Sequence, residues 1–163
     1  MAIIGRGDIA QALQDREGFT FYANGISNRL PFSEESCNKE ADEIKAIDNR
    51  GMFVYFSTLS IYYSTSPYTQ HKLKMEQLVR DNFYNYCILR IGNINWGDNP
   101  NTLLNHLRKD TSRIDDDFRY LIGRDELNHW IERIPIKGKH EMNVPGMRLT
   151  VTEIARMIKE DNL

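Results

Sequence analysis

Tyr68 and Lys72 stand one helical turn apart in Pro67-Tyr-Thr-Gln-His-Lys-Leu-Lys-Met-Glu76, shortly after an apolar run that ends in Ser57 and Thr58. A phenol ordinarily titrates at about pH 10, so it acts as a base near neutrality only where a positive charge stabilises the phenolate. Residues at i and i+4 share one helix face, which lets the Lys72 ammonium supply that charge. A hydroxyl at the tip of a neighbouring strand can bind the substrate oxygen that gains or loses a proton as hydride moves. Thr58, Tyr68 and Lys72 together therefore suit oxidation of a secondary alcohol, or reduction of a ketone, beside a nicotinamide. The same spacing also arises by chance in a chain with 8 tyrosines, and is then a surface pair on an amphipathic helix.

The flanking segments are of the kind that would hold these residues. Met52 to Phe56 is a nearly continuous apolar run, as in a parallel strand buried on both faces, and its end delivers Ser57 and Thr58. Pro67 opens a helix whose apolar side is expected from Leu73, Met75, Leu78 and Val79. Tyr86 to Ile91 is the next strand, and 93 to 100 reads as a loop with turn chemistry at Gly97, Asn99 and Pro100. Upstream, Ser33 caps a polar helix with a stripe of Ala41, Ile44 and Ile47. Downstream come a helix through Leu103, Leu104 and Leu107, one over 124 to 134, a short strand near 141 to 144, and a last helix after Thr150. Strands alternating with helices predict an α/β layered fold with a mostly parallel sheet.

The chain begins with an apolar run into Gly5-Arg6-Gly7-Asp8-Ile9-Ala10. Strand, tight glycine turn and helix in that order let the backbone approach a pyrophosphate at a helix N-terminus. The alternative is a strand-to-helix turn that binds nothing. Phe19 to Ala23 is a further strand, ending in Asn24 and Gly25, which would line a ribose and phosphate or simply turn the chain. Arg6 and Arg29 are candidates for a phosphate, including a 2′-phosphate.

Bulk properties narrow the function classes. A length of 163 residues fits one domain, and a net charge of −2 without a basic run leaves no footprint for nucleic acid or an anionic membrane. The partner expected is a small molecule. Cys37 and Cys87 have no metal or redox spacing, and the four histidines are scattered, so no metal site is expected. Without a spanning segment or secretory signature the reading is cytoplasmic.

In combination, these segments resemble the extended short-chain dehydrogenase/reductase superfamily, the NAD-dependent sugar-nucleotide epimerases and dehydratases. Phe-Ser57-Thr58-Leu-Ser-Ile-Tyr62 is similar to that family's hydroxyl-tipped strand, and Tyr68-Thr-Gln-His-Lys72 to its Tyr-x-x-x-Lys helix. Arg90-Ile-Gly-Asn93 through Gly97 resembles the loop whose asparagine contacts the substrate diphosphate. Phe118-Arg119 through Asp125-Glu126 resembles the element whose arginine grips it. The resemblance implies Thr58, Tyr68 and Lys72 as catalytic residues, with Lys72 also on the nicotinamide ribose. It implies NAD or NADP held by Gly5, Arg6, Gly7, Asp8, Ile9, Ala10, Asn24 and Gly25. It implies a nucleotide or nucleotide sugar held by Asn93 and Arg119, and a homodimer through helices at 34 to 50 and 66 to 82.

The departures from the family pattern are as informative. The stretch between the first helix and the strand before Asn24 is contracted, which removes the family's second and third strands and the acidic residue that grips the adenosine ribose. The fold expected is thus a reduced Rossmann-like one, a single domain over 1–163 with a small substrate-binding portion from about 93, and dinucleotide binding is expected to be weak. The connection from Thr58 to Tyr68 is short, and Leu59 and Ser60 stand where sugar dehydratases carry an Asp-Glu pair. Two alternatives to an NAD(P)-dependent oxidoreductase or epimerase follow. One is a non-catalytic nucleotide or nucleotide-sugar binding protein; the other is an interaction protein that uses the exposed sheet edge for docking.

Overall fold

A computed structural model describes residues 3–26, 32–112 and 114–163. Among them, five strands form one wholly parallel sheet: β1 (Ile3–Ile4), β2 (Phe19–Tyr22), β3 (Met52–Thr58), β4 (Tyr86–Ile91) and β7 (Lys139–Val144), side by side in that order. A smaller sheet joins β5 (Asn93–Ile94), β6 (Phe118–Ile122) and β8 (Met147–Thr150), with β5 parallel and β8 antiparallel to β6. The helices are α1 (Asp8–Ala12), α2 (Glu34–Lys45), α3 (Pro67–Asn82), α4 (Leu103–Lys109), α5 (Arg124–Ile131) and α6 (Val151–Lys159). This is the reduced Rossmann-like α/β architecture that the sequence predicts. β1 lies directly beside β2, with no intervening strands.

Alternation along the strands splits the core into two layers. Met52, Val54 and Phe56 of β3 join Cys87, Leu89 and Ile91 of β4 on one face, under Leu127 and Ile131 of α5. Phe53 and Tyr55 join Ile88 on the other, under Ile44 of α2 and Met75 and Val79 of α3. A third cluster of Leu103, Leu104, Leu107, Val151 and Ile154 packs α4 against α6.

Caps fix where the helices begin. Ser33 accepts the Ser36 N–H and Ser66 accepts the Thr69 N–H, with Pro67 in the first turn of α3. Several boundaries differ from expectation. β3 runs on through Thr58, α1 is a single turn and a half, and α5 stops at Ile131 before irregular turns that still bury Ile134. β5 lies where a loop is expected, and β8 goes unpredicted because it is short and half exposed. Leu73 is 37% exposed, whereas Thr69, His71, Lys72 and Glu76 are buried, so the inner face of α3 is largely polar.

That polar face closes a network across the sheet. The Glu76 carboxylate accepts from Ser57 Oγ of β3 at 2.6 Å and from Arg90 of β4 through Nε at 2.9 Å and Nη2 at 2.6 Å. Arg80 adds a bond at 3.1 Å from the same helix, and Glu141 of β7 meets both arginines. A two-pronged guanidinium–carboxylate pair is among the stronger polar contacts, and removing Arg90 leaves the buried Glu76 carboxylate with only the Ser57 hydroxyl and the longer Arg80 bond. Because Arg80 still pairs with Glu76, Arg90→Met is expected to cost about 2–4 kcal/mol. Urea unfolding measures this, and a loss below about 1 kcal/mol would show the pair to be dispensable.

Candidate functional site

The carboxyl ends of β1, β2, β3 and β4 open into one cavity of about 740 Å³, the position at which open parallel sheets bind ligands. Its wall contains Gly7, Asp8, Ile9, Gly25, Thr58, Tyr68, Lys72, Asn93 and Arg119, gathered from segments far apart in the chain. The other candidates fall outside it. Gly5 is fixed by close approach to the Ala23 carbonyl at a φ of +129°, a conformation suited to glycine, and Ala10 is buried behind the turn. Arg6 and Asn24 are exposed, and the Asn24 amide donates to Glu43 Oε2 at 2.9 Å. Arg29 lies outside the described residues.

Thr58 ends β3 and caps the short 3₁₀ turn Leu59–Tyr62. Its Oγ1 accepts the Ser60 N–H at 3.1 Å and donates to Ser60 Oγ at 3.0 Å. Ser60 continues to Thr69 Oγ1 at 3.1 Å, and Thr69 to Ser66 Oγ at 3.1 Å. The shortened connection to α3 therefore folds into a ladder of hydroxyls beside the cavity. Tyr68 follows on the first turn of α3, half-buried and facing the same space.

Lys72 is buried, with only 4% of its surface exposed. Its Nζ donates to Tyr55 Oη at 3.2 Å and to the Phe56 carbonyl at 3.3 Å, and stands 5.8 Å from the centre of the Tyr68 ring. An ammonium has three N–H donors, so one is left for the cavity. Gly25 closes over this group: a Cβ there would come within 2.7 Å of Nζ. Behind Lys72, the Tyr55 hydroxyl donates to Glu40 Oε1 at 2.9 Å, while Glu40 Oε2 takes the Ile26 N–H at 3.0 Å and His71 Nε2 at 2.8 Å. Burial and then the Glu40 charge push the Tyr55 hydroxyl well above the ordinary range, which keeps its proton in place.

Asp8, in the cavity wall at the glycine turn, is bonded to the loop after β5. Its carboxylate accepts the backbone N–H groups of Asp98 at 3.3 Å and Asn99 at 3.1 Å, and its carbonyl accepts Trp96 Nε1 at 3.1 Å. Gly97, at a φ of +93°, lies against this carboxylate so closely that a Cβ would overlap it. The glycine turn is thus fastened to the loop after β5, with a negative charge set in the cavity wall. Across the cavity, Asn93 Nδ2 donates to the Tyr120 carbonyl at 3.3 Å and Arg119 Nη1 to the Phe118 carbonyl at 2.9 Å, with Asp117 3.9 Å from Arg119 Nη2.

The sequence draws attention to Lys72 and misses what lies beneath it, because Glu40 reads as one more acid on a surface helix and His71 as a scattered histidine. The placement of Ser60 and Ser66 beside Thr69 is likewise set by the short 59–66 connection.

No family model matches the sequence, and no curated protein matches it either. Solved structures do share the fold. The enzyme WbmG of Bordetella bronchiseptica, in complex with NAD and UDP, aligns with a TM-score of 0.69 at 11% identity, over 88% of this chain and 55% of its own. A variant of UDP-glucuronic acid 4-epimerase from Bacillus cereus, in complex with NAD and a fluorinated UDP-glucuronic acid, gives 0.63 at 20% identity, over 94% and 62%. dTDP-glucose 4,6-dehydratase from Bacillus anthracis, in complex with NAD, gives 0.59 at 13%, over 77% and 50%. The chain therefore has the fold of NAD-dependent sugar-nucleotide epimerases and dehydratases but spans only about half to three-fifths of the length of these structures.

The site also sets a pH dependence. Burial alone would raise the Glu40 carboxyl, but the His71 hydrogen bond, the Lys72 charge and the Ile26 N–H outweigh it and hold it at about 2, against an ordinary 4.5. A carboxyl depressed by folding stabilises the native state above its unfolded pKa and loses that contribution as pH falls through the folded value. Relative to Glu40→Gln, the wild type is expected to lose roughly 3 kcal/mol between about pH 5 and pH 2. Urea unfolding at stepped pH reads this as converging midpoints, and parallel midpoints across the window would contradict it.

Proposed function

We propose that the cavity is the reaction centre of an NAD(P)-dependent oxidoreductase or epimerase acting on a nucleotide-linked sugar or a similarly hydroxylated substrate. The observation that carries this reading is the buried Lys72 ammonium, held by two acceptors with its remaining N–H left for the cavity beside Tyr68 and across from Thr58. The nicotinamide end of a dinucleotide fits these residues, since the spare N–H can meet a ribose hydroxyl and Gly25 leaves the backbone close by. When bound, the nicotinamide supplies a hydride acceptor and donor.

The chain's own groups handle the proton and the substrate. Tyr68 takes or returns the proton of the reacting hydroxyl, and the ammonium at Lys72 stabilises its phenolate. Thr58 has one lone pair left beyond its two bonds to Ser60, and accepts from an alcohol there. To donate to a ketone it must turn its proton away from Ser60, whose hydroxyl can give its own proton to Thr58 or to Thr69 in turn. Asn93 and Arg119 would hold the diphosphate of the substrate. The outer faces of α2 and α3 would pair in a homodimer, and a monomeric mass by light scattering would remove that part of the proposal.

The adenosine end fits less well. No strand in the described residues covers the outer side of β1, and the Asp8 carboxylate opposes a pyrophosphate at the turn. This favours, as a second reading, a non-catalytic protein that binds a nucleotide sugar without a dinucleotide.

Tyr68→Phe is expected to lower turnover at least about a thousandfold while leaving the fold intact, because it removes the only proton-transfer atom of that ring. An unchanged rate would refute the assignment. Titration calorimetry with NAD, NADP, UDP and several UDP-sugars separates the two readings: dinucleotide binding supports the enzyme, and sugar-nucleotide binding alone supports the second. Asp8→Asn is expected to tighten dinucleotide binding by about tenfold, the effect of removing one like charge near the site. Weaker binding in that variant would show Asp8 to be a true ligand.

A further inference from the structure

We infer that Glu40 is a positioning residue for Lys72, fixing the direction of a buried hydrogen-bond chain that runs from the ammonium through Tyr55 to the Glu40 carboxylate and is closed from α3 by His71. Its importance for turnover rests on the proposed function; the arrangement itself does not.

The geometry leaves little freedom. An ionised carboxylate only accepts, so the Tyr55 proton points to Glu40 and the Tyr55 oxygen can only accept in return. The donor at that oxygen is Lys72 Nζ. The second carboxylate oxygen is shared by Ile26, next to the Gly25 backbone that covers Nζ, and by His71, the residue before Lys72. One carboxylate thereby ties together β3, α3 and the segment after β2, the three parts that surround the ammonium. Glu40 also supplies the counter-charge: Lys72 is 4% exposed and Glu40 3%, and a buried ammonium without a partner is strongly disfavoured. The titratable groups around Nζ are Tyr55 from β3, Tyr68 from its own helix and Glu40 from α2, with His71 behind.

Glutamine at this position cannot reproduce the pattern. With its oxygen toward Tyr55 its NH₂ faces the Ile26 N–H, and with its oxygen toward Ile26 its NH₂ faces the Tyr55 hydroxyl. In that second orientation the hydroxyl must accept from the amide and compete with Lys72.

The experiment uses protein labelled with 15N at the lysine side chains. A hydrogen-bonded buried ammonium exchanges slowly with water and gives a resolved signal, assigned here by its absence in Lys72→Arg. In Glu40→Gln, exchange at Lys72 is expected to accelerate at least about tenfold, or the signal to vanish, with backbone amide spectra showing an intact fold. An unchanged signal in a folded Glu40→Gln protein would overturn the inference. If Glu40→Gln does not fold, His71→Gln serves, since its amide can still donate to Glu40; it is expected to keep the signal, whereas His71→Leu is expected to speed exchange. Loss of the signal in both, or in neither, would contradict the arrangement. Where turnover is measurable, Glu40→Gln should lower kcat by about tenfold or more with KM within about threefold, and Glu40→Asp should recover part of it. A normal NMR result with no turnover in wild type counts against the proposed function and leaves the positioning role standing.

Discussion

Charges cannot be buried singly, and that constraint organises the polar interior of this protein. Two carboxylates descend onto the α2/α3 side of the parallel sheet. Glu76 gathers Ser57, Arg90 and Arg80, and Glu40 gathers Tyr55, His71 and, through Tyr55, Lys72. Every buried side-chain nitrogen and oxygen among the described residues has a partner. The catalytic candidate Lys72 is therefore one end of a structural network, and its position is inseparable from the packing of α2 and α3 on β3.

Much of this was legible in the sequence where a residue's environment is set by its neighbours. The apolar runs of β3 and β4, the proline that opens α3 and the Ser33 cap follow from local preference. The cavity residues Thr58, Tyr68 and Lys72 follow from spacing. The rest depends on distant segments. Glu40 sits among Glu34, Glu35, Asp42 and Glu43 and is told apart from them only by Tyr55 and His71 meeting it in space. Leu73 reads as core and is exposed because α3 turns its polar stripe inward to those carboxylates. Asp8 has the place of a phosphate-turn residue, and its bonds to the loop after β5 come from a segment some ninety residues away.

The two ends of the cavity, around Tyr68 and around the glycine turn, are built unequally. Around Tyr68 the groups are buried, directed and mutually satisfied. Around the glycine turn, α1 is a single turn and a half, Arg6 is exposed and Asp8 is spent on the neighbouring loop. In doubly wound sheets a ligand crevice forms where strand order reverses beside the first strand. Here the order proceeds from β1 through β2 and β3 to β4 without a reversal, so one wall of that crevice is missing from the described residues.

The same strand order has a kinetic meaning. Each of β2, β3 and β4 joins the sheet next to its predecessor in the chain through a connection of modest length, so loop-closure entropy is met in small steps. β7 alone must wait for the small sheet and its helices to be crossed before it pairs with β4. Contacts near in sequence favour rapid assembly, and long-range ones delay it. The β2–β3–β4 unit with α2 and α3 can therefore condense as a nucleus. The buried carboxylates meet their partners within that unit, before Arg119 and the far wall of the cavity are in place. Glu141 then arrives last, on β7, to finish a charge cluster already formed around Glu76.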